Sequence, residues 1–269
     1  MADAATGGER GFGVAAGLDP DVATELARRC EDLGYRSIWS NDHPGASGVE
    51  TAAVFHEAAP SLQVGVAVLA LDRHDPESIA AKADEEGLDP GRLWVGIGAG
   101  FTKQPLGVVR QGLGELRRVL PASARIALAA MGPKMCALAG AEADAVFLNW
   151  PTPEWAAWAR ERVHEGAREA GRQVLPTIFS YVRVAIGDDA GERLLKEESF
   201  YRQLHQGYIR HFESLGAEPG TVGIAARDPA EVGERLAAYD AIDHVVVRAL
   251  ASANVDALTR VAEAAAPAG

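Results

Sequence analysis

Three short stretches carry residues whose types and spacing could do chemistry. The first is Asn41-Asp42-His43-Pro44. An unperturbed imidazole titrates near pH 6.5, so His43 can give or take a proton around neutrality. Asp42 beside it can fix a tautomer or cap a turn. Lone histidines are also common as structural residues, and the pair alone does not decide between these roles.

The second stretch is RLWVGIGAGF, residues 92–101, where an apolar run ends in Gly96, Gly98 and Gly100. A dinucleotide fingerprint needs a further glycine three positions on, and an acid some twenty residues later that closes another strand. Phe101 occupies the glycine position, and Glu115 lies inside the helical pattern GVVRQGLGELRRVL. That reading fails. What remains is a strand end cleared of side chains, either to tighten a strand-to-helix turn or to lie against a flat ligand.

The third stretch is AAMGPKMCALAG, in which a strand runs through Ala130, Met131 and Gly132 into a helix opened by Pro133. Free amides at a helix start attract phosphate, glycine lets the anion approach, and Lys134 can add charge. Gly-Pro also begins helices that bind nothing.

Eight apolar runs carry these residues: 12–16, 36–41, 62–70, 93–98, 125–130, 145–149, 175–186 and 244–250. Most are continuous in Val, Ile, Leu and Ala, the pattern of strands covered on both faces. Amphipathic segments lie between them, as in DPDVATELARRCEDLG, where Asp19 can cap, Pro20 can open the first turn and Gly34 can end the helix. Alternating strand and helix implies a parallel sheet. Eight such units in 269 residues predict an α/β fold, a (β/α)8 TIM barrel, with an open doubly wound sheet as the alternative. Residues 187–240 break the spacing with a long helical segment bearing Tyr201, Tyr208 and Phe212 on one side, suited to core packing, a lid or a subunit contact.

The formal charge of -12, from 38 acidic against 26 basic residues, opposes binding to nucleic acid and anionic membranes. No apolar run is long enough to span a bilayer, and the first residues lack a secretory pattern, so a cytoplasmic protein is expected. Residues 1–10 read as a disordered lead-in and 11–269 as one domain. The two cysteines, Cys30 and Cys136, read as buried apolar side chains. No histidine pair has metal-ligand spacing with an acid, so no metal is expected.

Several segments together resemble the bacterial luciferase-like monooxygenase family, especially its flavin- and coenzyme F420-dependent oxidoreductases. They are ELARRCEDLGYRSIWSNDHP, VGVAVLALDRHDPESIAAKADEEGLDPGRLWVGIGAG, ALAAMGPKMCALAGAEADAVFLNW, YIRHFESLG and HVVVRAL, spread over residues 11 to 265. Each is weak alone, but their order and spacing are specific. The resemblance implies a luciferase-like barrel that binds FMN or coenzyme F420 and transfers hydride to or from a small organic substrate, or activates oxygen. It implies a ring lying on Ala67, Val68, Gly98, Ala99 and Gly100, with a cis peptide at Ala67-Val68. A phosphate is implied at Ala130, Met131 and Gly132 with Asn149 nearby, and a proton-transfer role for His43, oriented by Asp42. A homodimer is expected, with residues 200–212 able to take part.

The chain departs from the family at Phe101, where sugar-phosphate dehydrogenases have an acid, and in the short GASGVETAAVFHEAAPS segment. These departures argue against that substrate and against luciferase activity. A non-catalytic flavin-binding protein is the alternative. A barrel lyase or isomerase is a further one, though it would need a base or Schiff-base lysine inside the barrel, and no lysine ends an expected strand except Lys134, already past the turn.

Overall fold

The computed structural model describes residues 9–267. Each apolar run becomes a strand: β1 (Glu9–Val14), β2 (Ser37–Ser40), β3 (Gln63–Ala70), β4 (Leu93–Gly98), β5 (Arg125–Ala130), β6 (Ala145–Asn149) and β7 (Thr177–Ile186). A three-residue strand not expected from sequence, β8 (Ile224–Ala226), precedes the last barrel strand, β9 (His244–Ala249). All pairings are parallel. β1 pairs with both β2 and β9, β9 with β7, and β7 with β6, so the sheet closes into an eight-stranded cylinder and the open-sheet alternative is excluded. β8 lies outside that cylinder, paired with the far end of β7.

Strand β1 starts at Glu9, so the expected lead-in is two residues too long. Glu9 and Arg10 pair with His244 and Val245 and belong to the barrel wall. A charged Glu-Arg pair does not look like a strand in sequence, but its partners supply the ladder. Residues 1–8 of the expected tail lie outside the described residues.

The helices are α1 (Pro20–Asp32), α2 (Gly48–Ala58), α3 (Pro76–Glu85), α4 (Pro105–Val119), α5 (Pro133–Glu142), α6 (Pro153–Glu169), α7 (Ala190–Leu204), α8 (Gln206–Leu215), α9 (Ala230–Ala237) and α10 (Val255–Ala264). Local chemistry sets where many begin. Asp19, Asp75 and Thr152 accept first-turn amides of α1, α3 and α6, each followed by proline, which needs no donor there. In α1, Ala23, Leu26, Ala27 and Cys30 turn inward to the layer between sheet and helices. Both cysteines are buried and unpaired, and burial pushes the Cys136 thiol up to about 12.

The barrel interior is aromatic. Trp39, Trp94, Phe147, Phe179 and Tyr181 form one buried cluster with ring centroids 4.7 to 6.0 Å apart. Gly13 and Gly65 leave the space that Tyr181 and Trp39 fill. At the amino-terminal end the interior closes with polar groups. Ser37 Oγ lies 2.8 Å from His244 Nε2 and accepts from Trp39 Nε1 at 2.7 Å, while His244 Nδ1 lies 3.3 Å from Glu9. This serine, histidine and glutamate have the order of a nucleophilic triad, but Ser37 is fully buried on the face where barrels keep stability residues.

Candidate functional site

At the carboxyl ends of β3 and β4 the wall is irregular. The peptide between Ala67 and Val68 is cis, and the register of β3 on β4 shifts between Val66 and Leu69. A Cβ on Gly96 would collide with the Val66 carbonyl oxygen, so glycine is required where β3 bulges toward β4. Gly98 lies against the Val68 side chain. Gly100 has φ +68, and Asp72 fills the space beside it, accepting the Phe101 amide at 2.7 Å. The glycines therefore answer first to packing, and what they leave is a shallow strand end where Val68, Ala99 and Gly100 are half-buried.

The loop after β2 differs from expectation. Asp42 does not orient His43. Its carboxylate accepts from Arg73 at 2.9 Å and from the Gly48 amide at 3.1 Å, and pairs with His74 at 2.8 Å. The β3-α3 turn brings Arg73 and His74 back over the β2 end, and their side-chain nitrogens take the carboxylate instead of the sequence neighbour. His43 is exposed, and its Nδ1 accepts the Gly45 amide at 3.1 Å. An Nδ1 that accepts leaves the proton of a neutral ring on Nε2, which faces outward as a donor.

The turn from β5 into α5 keeps its expected form. Gly132 is the residue before the first turn and provides no side-chain cap. A Cβ there would meet nothing within 4 Å. The start of α5 is therefore open, whereas Asp19, Asp75 and Thr152 cover those of α1, α3 and α6. Met131 and Gly132 are half-buried, Lys134 is exposed, and Ala130 is buried toward the helix layer with only its backbone on the strand end. The inward neighbour is Ala129, which sequence reasoning passed over and which lies beside Gly98.

Asn149, expected near the phosphate, is engaged within the chain. Its Oδ1 accepts from Arg183, and its Nδ2 donates to the Tyr208 hydroxyl at 2.9 Å. This commitment comes from the excursion after β7. α7 and α8 meet at His205 and fold over the ends of β6 and β7, around a separate apolar cluster of Trp150, Leu194, Phe212 and Val222. The bond from His211 Nε2 to the Trp150 carbonyl, 2.8 Å, anchors α8, and burial lowers the His211 pKa below its ordinary value. His205 stacks edge-on against Phe101 at 5.0 Å and touches Tyr208 at 4.8 Å, so the segment reaches from β6 to the β4 end. Core packing and a cover over the mouth are thus one arrangement, and burial raises the Tyr208 hydroxyl pKa.

Under this cover sits Arg183, buried to 2% exposure. Its guanidinium lies 3.8 Å from the Trp150 ring and 5.3 Å from that of Tyr201. Trp150 itself has φ +54, a conformation that non-glycine residues adopt at some cost and that recurs at functional sites. Sequence reasoning missed Arg183 because it is one charge in the run TIFSYVRVAI. The available signal was an arginine two positions beyond inward-facing Tyr181, on the same face of the strand. Among the described residues no group of three or more His, Cys, Asp or Glu could hold a metal, and no helix is long and apolar enough to cross a membrane.

Comparison with known proteins supports the resemblance. The family model described as luciferase-like monooxygenase matches residues 4–120 and 113–266. Among solved structures, the chain is similar to an F420-dependent secondary alcohol dehydrogenase in complex with an F420-acetone adduct. The TM-score is 0.78 at 17% identity, covering 97% of this chain and 98% of that one. It is also similar to the coenzyme F420 dependent tetrahydromethanopterin reductase from Methanopyrus kandleri, with TM-score 0.72, 16% identity and 96% of each chain covered. A third similar structure is the oxygenating constituent of 3,6-diketocamphane monooxygenase from Pseudomonas putida in complex with FMN. There the TM-score is 0.64 at 15% identity, over 97% of this chain and 99% of that one.

Proposed function

Because this chain belongs to the luciferase-like monooxygenase family, we propose that it is an oxidoreductase holding FMN or coenzyme F420 at the carboxyl end of its barrel. One observation supports this above the rest. The cleared end of β4, Gly98 to Gly100, and the open helix start at Gly132 follow neighbouring strands, so one cofactor could rest its ring on the first and its phosphate on the second. The fit holds on the chemistry of both sites: glycine and small apolar groups for a flat ring, and uncapped amides for an anion.

The ring would lie on Ala67, Val68, Gly98, Ala99 and Gly100. Met131, Gly132 and the first turn of α5 would hold the phosphate, with Ala130 contributing backbone only and Lys134 adding charge. The bound cofactor supplies the redox chemistry, hydride transfer or oxygen reduction, acting on a small organic substrate. His43 is the proton donor in this reading, through the Nε2 hydrogen that its bond to Gly45 leaves outward. Asp42 positions the β3-α3 turn through Arg73 and His74, beside the ring floor. Trp150, Tyr201 and Tyr208 exclude water from the side opposite β4.

The test is parallel fluorescence titration of the purified full chain with FMN and coenzyme F420, each oxidised and reduced. Saturable binding of one, far tighter than the other, is the expected result and identifies the cofactor. Absence of binding for both overturns the proposal. The contact of Phe101 with His205, at the rim of the mouth, favours a second reading as a non-catalytic cofactor-binding protein. That reading predicts tight binding without turnover on any substrate panel.

A further inference from the structure

Arg183 and Arg248 are paired positions on the neighbouring strands β7 and β9. Like charges held side by side repel one another unless something neutralises them. Both face the interior, since each guanidinium lies over the inward Tyr181 ring, at 5.8 Å for Arg183 and 6.0 Å for Arg248. Among the described residues neither makes an ion pair with a carboxylate within 4.0 Å, although thirteen lysine or arginine contacts of that kind occur elsewhere among them. Glu197 on α7 is the acid whose field reaches Arg183, without contact. Arg183 bonds only the neutral Asn149 amide, and its Nε is buried without a partner. A buried guanidinium with an orphaned donor is costly unless a ligand completes it. Arg248 is half-buried and its side chain makes no hydrogen bond within the described residues, which leaves the pair an open side.

We propose that Arg183 and Arg248 bind the anionic group of the substrate, which makes that substrate a small organic carboxylate or sulfonate. The inference deepens the oxidoreductase reading above and rests on it for the word substrate. The cofactor is the other source of an anion, and the barrel order argues against it. The ring floor follows β3 and β4, and β7 and β9 lie across the mouth from those two strands, while the phosphate cradle after β5 is two strands from β7. An anion held at β7 and β9 would face the ring rather than extend its tail. A planar, forked guanidinium stacked on Trp150 suits a carboxylate or sulfonate in two-point contact.

Calorimetric titration of the full chain, with and without saturating FMN or coenzyme F420, tests this with benzoate, benzenesulfonate and neutral benzamide. Benzoate or benzenesulfonate should bind at one site at least tenfold more tightly than benzamide. Arg248→Met, at the half-buried position, should weaken the anion at least tenfold with an unchanged unfolding midpoint. Gly132→Val should leave anion binding unaltered. Equal binding of benzoate and benzamide, anion binding unaffected by Arg248→Met, competition between benzoate and the cofactor, or no anion binding under any condition would each overturn the proposal. Anion binding that depends on Arg248 in a protein that takes neither cofactor would support the pair as an anion site while removing the redox reading. Cofactor binding without any anion response would remove only the pair.

Discussion

At the amino-terminal end of the barrel, His244 sits between the Glu9 carboxylate and the Ser37 hydroxyl, and Trp39 completes the chain of donors and acceptors. At the carboxyl end, Arg183 sits equally deep with one neutral amide and an unpaired Nε, beside a second arginine that no acid meets. The same barrel thus carries a polar cluster that is satisfied within the chain and one that is not, with β9 contributing to both. Buried polar groups left short of partners cost stability. Arg10 Nε, on the start of β1, is also buried without a partner, so the contrast belongs to the two interior clusters, and the unsatisfied one lies at the end where barrels of this kind place their sites.

Five measurements would break or sharpen that contrast. The largest effect should come from Phe212→Ala, which empties the centre of the cover over the carboxyl end. A cost of about 3 kcal/mol is expected in urea unfolding, and a loss under ~1 kcal/mol would mean that the cover is not part of the folded core. Next is His43→Ala, expected to lower turnover about 100-fold, equivalent to about 2.7 kcal/mol, with cofactor affinity retained. Unchanged turnover would remove His43 from the chemistry.

His244→Leu probes the other end. It should cost about 2 kcal/mol by leaving Ser37 and Glu9 without their shared partner, while cofactor titrations stay as in the parent protein. Altered binding would show that the two ends are not independent. Gly132→Val should do the reverse, weakening FMN or coenzyme F420 about tenfold, or about 1.4 kcal/mol, with the unfolding midpoint held.

The smallest effect concerns pH. Burial lowers the pKa of His211, and of His56, His164 and His205, below the ordinary value of 6.5. The unfolded chain then takes up protons first as pH falls through 6.5, so stability present above that value declines toward the folded-state pKa. Thermal unfolding at pH 7.5 and 5.5 should show a lower midpoint at 5.5. His211→Gln, which can keep a donor to the Trp150 carbonyl, should reduce the difference.

Much of this was legible in residue order. Continuous apolar runs marked all eight barrel strands, and Asp19-Pro20 marked a helix start, because both signals are local. Gly132 was legible for the same reason: an open helix start depends on the residue at its cap. Glu9 and Arg10 were misread because their strand is made by partners at His244 and Val245. Asp42 was assigned to the adjacent His43, whereas folding brings His74, thirty-two positions on, to 2.8 Å. Asn149 was expected near the phosphate, and nothing near it in sequence announces its bonds to Tyr208 and Arg183.

Sequence alone determined the barrel, the cleared end of β4 and the uncapped start of α5, since periodicity, glycine and capping act over a few residues. Tertiary structure alone decided which polar groups meet. It gave Asp42 to His74 and Asn149 to Arg183, and it set Arg183 beside Arg248 with no acid between them. The reason is range: backbone preferences are settled within a turn of chain, whereas a charge is satisfied or left wanting by whatever side chain closure of the cylinder brings within about 4 Å.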